Sequence, residues 1–276
     1  MQGSKRQTRL AVVFAWVGIT AISALSGLTG CATSPLGRRQ LIVVPEAQMS
    51  ALGAQAFQQM KSATPTDSEP ALNSYVRCVA QPITEAAREA TGVKDWEIVV
   101  FKDDTANAFA LPGGKIGVHT GILKVAKTAD QLAAVLGHEV GHVIAKHGAE
   151  RVSQSLAAQG GLAALDAALG GQSAGREQLL SGLIQVGFLL PFSRTQESEA
   201  DLIGLDLMAK AGFNPRESVG LWQNMAAEAG GKSPPEWLST HPANQARIDN
   251  LQKHMPEAVV TFNQTKSNGR SPQCSR

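Results

Sequence analysis

The chain has 276 residues, 43% hydrophobic and 17% charged, a balance that suits one substantial core and excludes a disordered chain or a polytopic membrane protein. Its formal charge of +2 misleads, because residues 1–30 hold three of the 25 basic side chains and no acid, leaving the remainder at −1. A near-neutral remainder removes the electrostatic case for a nucleic-acid partner.

Lys5, Arg6 and Arg9 precede an uncharged run from Leu10 to Leu28, which ends in Leu28-Thr29-Gly30-Cys31. A basic start, an apolar stretch and small residues read as a secretion signal over residues 1–30, although a run of this length also approaches that of an uncleaved spanning helix. The Leu-Thr-Gly-Cys sequence resembles the lipobox of bacterial lipoproteins. The resemblance implies that Cys31 carries a lipid anchor to the membrane. With Ala32 following in place of an aspartate, it also implies a lipid-anchored position on the periplasmic side of the outer membrane. Residues 31–45, with Pro35, Gly37, Arg38 and Arg39, read as a tether. Cys78 and Cys274 then remain as an even pair that, in an oxidising compartment, permits one disulfide between an early helix and the polar tail of residues 261–276. Two unrelated thiols are the plainer alternative.

Apolar spacing predicts helices at Glu46–Lys61 and Leu72–Ala90, then a short strand at Trp96–Phe101. Strands and turns follow from Thr105 to Val118 around Pro112-Gly113-Gly114. Further helices are expected near Ala129–His147, Arg194–Ala211, Pro215–Ala229 and Ala243–Lys253. Between the first two of these, Val152–Leu190 is rich in Gln, Ala, Gly and Leu, with Asp166, Arg176 and Glu177 as its charges. It reads as buried helix packing, or as a segment lying across a site or touching lipid. No repeat of 20–50 residues is visible, which counts against a solenoid. The expected fold is α+β and mainly helical, one domain over residues 46–260 with a small sheet.

The chemistry concentrates in Gly137-His138-Glu139-Val140-Gly141-His142. On a helix, His138 and His142 lie one turn apart on one face, so both imidazoles reach one metal ion. Glu139 sits beside them, placed to act as a general base toward a water on that ion. This is the zincin pattern, with an active-site helix and one catalytic zinc per chain. Such a zinc takes a third protein ligand. His147, five residues on, points off the ligand face of a continuous helix, and Gly148 stands where a metzincin needs histidine. The segment Ser193-Arg194-Thr195-Gln196-Glu197-Ser198-Glu199-Ala200-Asp201 is the better source. Glu197 and Asp201 share a face, so one can bind metal while the other accepts a hydrogen bond from a ligand imidazole. Glu199 points elsewhere and reads as a solvated charge.

The two motifs together resemble the gluzincin family of the CAAX prenyl proteases and HtpX, and within it the periplasmic lipoprotein branch of BepA-like and LoiP-like proteases, from about Arg38-Arg39-Gln40-Leu41 to Leu251. The resemblance implies that His138, His142 and Glu197 bind zinc, with Asp201 supporting a ligand. Ser239-Thr240-His241-Pro242 and Arg247 resemble a further family element. It implies that His241 stabilises the transition state or serves as a reversible fourth ligand, with Arg247 assisting; a surface histidine and a structural salt bridge are the plainer readings. Asn107-Ala108-Phe109, within the run that ends at Gly114, resembles the family's substrate-binding strand, an exposed edge able to pair with an extended peptide; an ordinary hairpin is the alternative. His119 and His254 read as ordinary surface or core histidines.

The implied activity is zinc-dependent endopeptidase action on unfolded or misfolded envelope proteins in the bacterial periplasm. The alternative is a chaperone-like module that aids outer-membrane assembly machinery with its zinc site mostly latched. About twenty-five residues follow Leu251, so the tetratricopeptide repeats of BepA-like proteins are not expected, and a compact LoiP-like arrangement is.

Overall fold

The computed structural model describes residues 31–159, 176–229, 236–242 and 245–276. The expected signal segment and the middle of Val152–Leu190 lie outside them. In chain order the elements are β1 (Cys31–Thr33), β2 (Arg39–Leu41), α1 (Glu46–Ala63), α2 (Pro70–Ala86), α3 (Arg88–Thr91), β3 (Glu97–Phe101), β4 (Ala108–Leu111) and β5 (Lys115–His119). They continue with α4 (Ile122–Val125), α5 (Ala129–Ile144), α6 (His147–Gln159), α7 (Arg176–Ile184) with a π-helical turn at Gln185–Leu189, α8 (Arg194–Ala211), α9 (Glu217–Ala229), α10 (Glu236–Thr240) and α11 (Gln245–Ser267).

Helices α5 and α8 form the spine. Every residue of α5 from Gln131 to His142 is buried, as its nearly all-round apolar sequence requires. Thr128 caps its start by accepting from the Gln131 N–H. Ser193 and Gln196 form a reciprocal capping box at the start of α8, and Gly212, at φ 86°, ends it in the left-handed region. The two helices approach closely because their contact is made of small residues. A Cβ added to Gly141 would lie 2.8 Å from the Ala200 carbonyl oxygen, and one added to Gly204 2.7 Å from the His138 nitrogen. This close approach brings the acidic turn of α8 up to the histidines of α5.

Around the spine pack α2, α9 and α11. On one side lies a sheet of order β3-β5-β4, with β3 parallel and β4 antiparallel to β5. Strand β4 is an edge strand and runs beside α5. Phe109 stands opposite Gly117, whose missing side chain seats the ring: a Cβ there would lie 2.2 Å from it. A second apolar cluster, with Met49, Phe57, Phe101, Leu111, Val152 and Leu183, joins α1 and the sheet to α6 and α7. The packing reading therefore holds for Val152, Leu156, Leu180, Leu183 and Ile184, whereas Phe188 and Leu189 of the same segment line a cavity that also meets Glu139 and His142.

Two expectations change. Residues 31–45 are not a loose tether: β1 and β2 form an antiparallel hairpin, and Ser34, Gln40 and Val44 are buried because their partners lie in the helices below. The polar tail is half helix, since α11 runs to Ser267. Its remainder is held down by a Cys78–Cys274 disulfide, Cα–Cα 5.7 Å, and by Arg276 donating to the Leu123 carbonyl at 2.9 Å. No helix of the described residues is long and apolar enough to cross a membrane.

Candidate metal centre

His138, His142, Glu197 and His241 are all buried and present one donor atom each, all within 4.8 Å of one another. His142 Nε2 and His241 Nδ1 lie 3.1 and 3.2 Å from His138 Nε2. Glu197 Oε1 lies 3.0 Å from His241 Nδ1 and 3.5 Å from His142 Nε2, and Glu197 Oε2 lies 3.4 Å from His138 Nε2. A tetrahedron of ligands bonded to zinc at about 2.0–2.1 Å has edges of about 3.3 Å. The donor set therefore fits that ion in size, number and chemistry.

The tautomers fit as well. A carboxylate only accepts, so His138 Nδ1–H must donate to Asp201 Oδ1 at 3.0 Å, leaving Nε2 as the inward atom. His147 Nε2–H likewise donates to Glu199 Oε2 at 3.1 Å, so its Nδ1 accepts from His142 Nδ1–H at 2.9 Å. His142 Nε2 is then also bare and inward. Lone pairs that converge on one point at these distances call for a cation.

Electrostatics reflect the same crowding of polar groups, with a positive charge favoured at the centre. Burial opposes charge on His138, but hydrogen bonds with Asp201 and Glu197 more than offset it and push the imidazole up to about 9. Burial, then the neighbouring His138 charge, holds His142 well below the ordinary histidine value. Burial raises Glu197, yet its contacts with His138 and His241 keep the carboxyl far below the usual carboxylate range. Its Oε2 is buried without an aligned hydrogen-bond donor, although Arg247 Nη1 lies 2.7 Å away.

Glu139 sits next to the cluster and accepts a hydrogen bond from Trp237 Nε1–H at 2.7 Å, while His241 Nε2 lies 3.4 Å from the same Oε1. Trp237 had no signal in the sequence; it reaches Glu139 only because α10 folds back over α5. Arg247 lies behind the donor cluster and is not among the residues lining the cavity beside Glu139. It grips Asp201 through Nε and Nη2 at 2.6 and 2.7 Å, and its guanidinium covers the Trp222 ring at 4.4 Å. Arg247 thus forms the structural salt bridge that was its plainer reading, held by Asp201 and Glu197.

Glu199 and His147 also differ from expectation. Glu199 is 6% exposed, and Ser34 Oγ, Arg38 Nε and His147 all donate to it. His147 turns back toward His142 because α5 stops at Ile144 and Lys146 takes φ 55°, so the continuous-helix placement does not apply. Of the two remaining histidines, His119 bonds Thr105 Oγ1 at 2.8 Å and His254 the Asn250 carbonyl at 2.9 Å.

A cavity of about 360 Å³ opens beside the centre, lined by Asn107, Ala108 and Phe109 of the edge-strand segment, by Glu139, His142 and His241, and by Met60, Phe188 and Phe192. Phe192 stacks on His142 with centroids 4.0 Å apart. A narrower apolar pocket of about 90 Å³, lined by Met49, Ala110 and Pro112 among others, reaches His142 as well.

Peptidase family M48 matches residues 70–255. The mitochondrial metalloendopeptidase OMA1 of Schizosaccharomyces pombe is 44% identical over 176 residues, covering 62% of this chain and 50% of that protein. Human metalloendopeptidase OMA1, mitochondrial, is 30% identical over 252 residues, 82% of this chain and 46% of its own length. The beta-barrel assembly-enhancing protease of Escherichia coli is 28% identical over 207 residues, 71% of this chain and 42% of that protein. The chain thus spans about half the length of these curated relatives. Because the OMA1 relatives are mitochondrial proteins, the expected lipid-anchored position on the periplasmic side of an outer membrane is overturned.

Proposed function

The chain belongs to peptidase family M48, with zinc as its metal, and we propose that it is a zinc metalloendopeptidase acting on extended segments of unfolded or misfolded protein. The observation that carries this is the convergence of four donors beside Glu139, at a cleft walled by an edge strand. His138, His142 and Glu197 would hold the ion, with His241 as a fourth donor that a substrate displaces. Zinc supplies, when bound, a Lewis acid that polarises the scissile carbonyl and acidifies water at neutral pH. Glu139 accepts the proton of the attacking water and passes it to the leaving amine. The free edge of β4 pairs with substrate backbone, which reads an extended shape rather than a sequence, and the apolar pockets flanking His142 take side chains.

A binding role with the site latched also remains part of the proposal, favoured by His241 Nδ1 lying 3.2 Å from His138 Nε2.

Glu139→Gln tests the proposal. Loss of a general base should lower casein cleavage at least about 100-fold, while zinc content and melting temperature stay close to those of the unmodified chain. Cleavage surviving at full rate would sink the assignment of the base and the reaction with it.

A further inference from the structure

The proposed activity does not explain why so much buried polar chemistry lies on the far side of His142. Arg38, from the hairpin, forks onto two carboxylates. Its Nε donates to Glu199 Oε2 at 2.7 Å, and its Nη1 and Nη2 donate to Glu150 Oε1 and Oε2 at 2.6 and 2.8 Å. Ser34 donates to the other oxygen of Glu199. Gln196 Nε2 closes the network by donating to Glu150 at 2.8 Å, and Gln40 ties it to α5 by donating to the Ala145 carbonyl at 2.7 Å. His147, 0% exposed, stands between this network and the metal ligand.

We propose that the N-terminal hairpin positions the zinc ligand His142: Arg38 and Ser34 orient Glu199, Glu199 fixes the tautomer of His147, and His147 fixes that of His142. This rests on the metalloprotease reading and extends it to residues remote from the cleft. Each link has one permitted direction. Glu199 can only accept, so His147 must donate through Nε2; its Nδ1 can then only accept, so His142 must donate through Nδ1 and present Nε2. The left-handed Lys146, a conformation unfavourable for a residue with a side chain, is what turns His147 into the relay. Glu199, His147 and Arg38 are positioning residues: none of them lines the cavity beside Glu139.

The experiment compares zinc affinity, by chelator competition, and the visible spectrum of the cobalt-substituted protein in four full-length forms. These are the unmodified chain, His147→Leu, His147→Gln and Arg38→Gln. A glutamine at 147 can still accept from His142 and donate to Glu199, whereas leucine can do neither. Zinc affinity should fall about 10–100-fold in His147→Leu, remain within about threefold in His147→Gln, and be intermediate in Arg38→Gln. The cobalt spectrum should shift in the leucine variant, and KM should change less than kcat. Should His147→Leu not fold, the half-buried Arg38 site decides. Unaltered affinity and spectrum in the folded variants would overturn the positioning role alone; an unmodified chain that binds no zinc would overturn the metalloprotease reading.

Discussion

The two histidines of the motif are held by arms of different length and origin. His138 donates directly to Asp201, and Arg247 from α11 clamps that carboxylate. His142 reaches its carboxylate, Glu199, only through His147, and the clamp is Arg38 from the opposite end of the chain. Both carboxylates come from α8, two positions apart and therefore on different sides of the helix, which is why one faces α11 and the other the hairpin. The clamps differ in access: the Arg247 side chain is 1% exposed and that of Arg38 27%. The short arm is sealed in the core, while the long arm comes to the surface and ties metal geometry to whether the hairpin is docked.

Breaking the short arm should have the larger effect. In Asp201→Ala, His138 loses its acceptor and buried Arg247 keeps Glu197 as its remaining carboxylate. Stability should fall by about 3–5 kcal/mol, read by urea unfolding, and zinc affinity by about 10–100-fold. A loss under about 1 kcal/mol would mean that Glu197 alone satisfies Arg247, and the arm would count as orientation only.

Gly141→Ala strains both arms together, because the new methyl meets the Ala200 carbonyl oxygen at 2.8 Å and must push α8 away. About 1–3 kcal/mol should be lost. Zinc content should fall with it, since Glu197, Glu199 and Asp201 all ride on α8. Full zinc occupancy by metal analysis, with α8 displaced, would show that the donors tolerate the shift.

How far these arms could be read in advance follows from where their parts lie. Helix α8 matches its expected bounds because its stop signals are local: Ser193 and Gln196 cap it and Gly212 ends it. Glu197 and Asp201 were legible for the same reason, as four-residue spacing on a firm helix sets a face. His147 was misplaced because the left-handed residue is itself a lysine, and no glycine or proline stands at positions 144–147 to announce the break after Ile144. Arg38 looked like part of a tether because Pro35 and Gly37 flank it, while its partners Glu150 and Glu199 stand more than 100 residues away. The one clue was that the family resemblance already began at Arg38. Trp237 and Glu139, 98 residues apart, left no local trace at all.

Arg38→Gln sharpens the comparison through pH. Burial raises Glu150 and Glu199, but hydrogen bonds, chiefly from Arg38 to Glu150 and from Ser34 and Arg38 to Glu199, bring both below the ordinary 4.5. Groups depressed on folding contribute stability above the unfolded value of 4.5, and that contribution is lost as pH falls through the folded values. The variant should therefore be less stable by about 1–2 kcal/mol near neutrality, and the two urea midpoints should converge as the pH is lowered from 4.5 through the depressed folded values. A gap independent of pH would assign the effect of Arg38 to packing rather than to these carboxylates.

The smallest effect is expected at the turn that makes the long arm possible. Lys146 holds φ 55°, a conformation that costs a residue with a Cβ roughly 1 kcal/mol and a glycine almost nothing. Its ammonium meets Glu46 at 3.2 Å with both side chains exposed, so the charge itself contributes little. Lys146→Gly thus removes strain from the folded state but loosens the unfolded chain, and the two nearly cancel. The melting temperature should move by no more than the equivalent of about 1 kcal/mol, with zinc affinity unchanged because His147 stays where it is. Lys146→Val should do the opposite, since a β-branched residue resists this region most strongly. Its zinc affinity should weaken in step with its stability, because refusing the turn swings His147 away from His142. Valine at 146 with undiminished zinc affinity would show that His147 keeps its place without the turn, and that the relay is held by Glu199 alone.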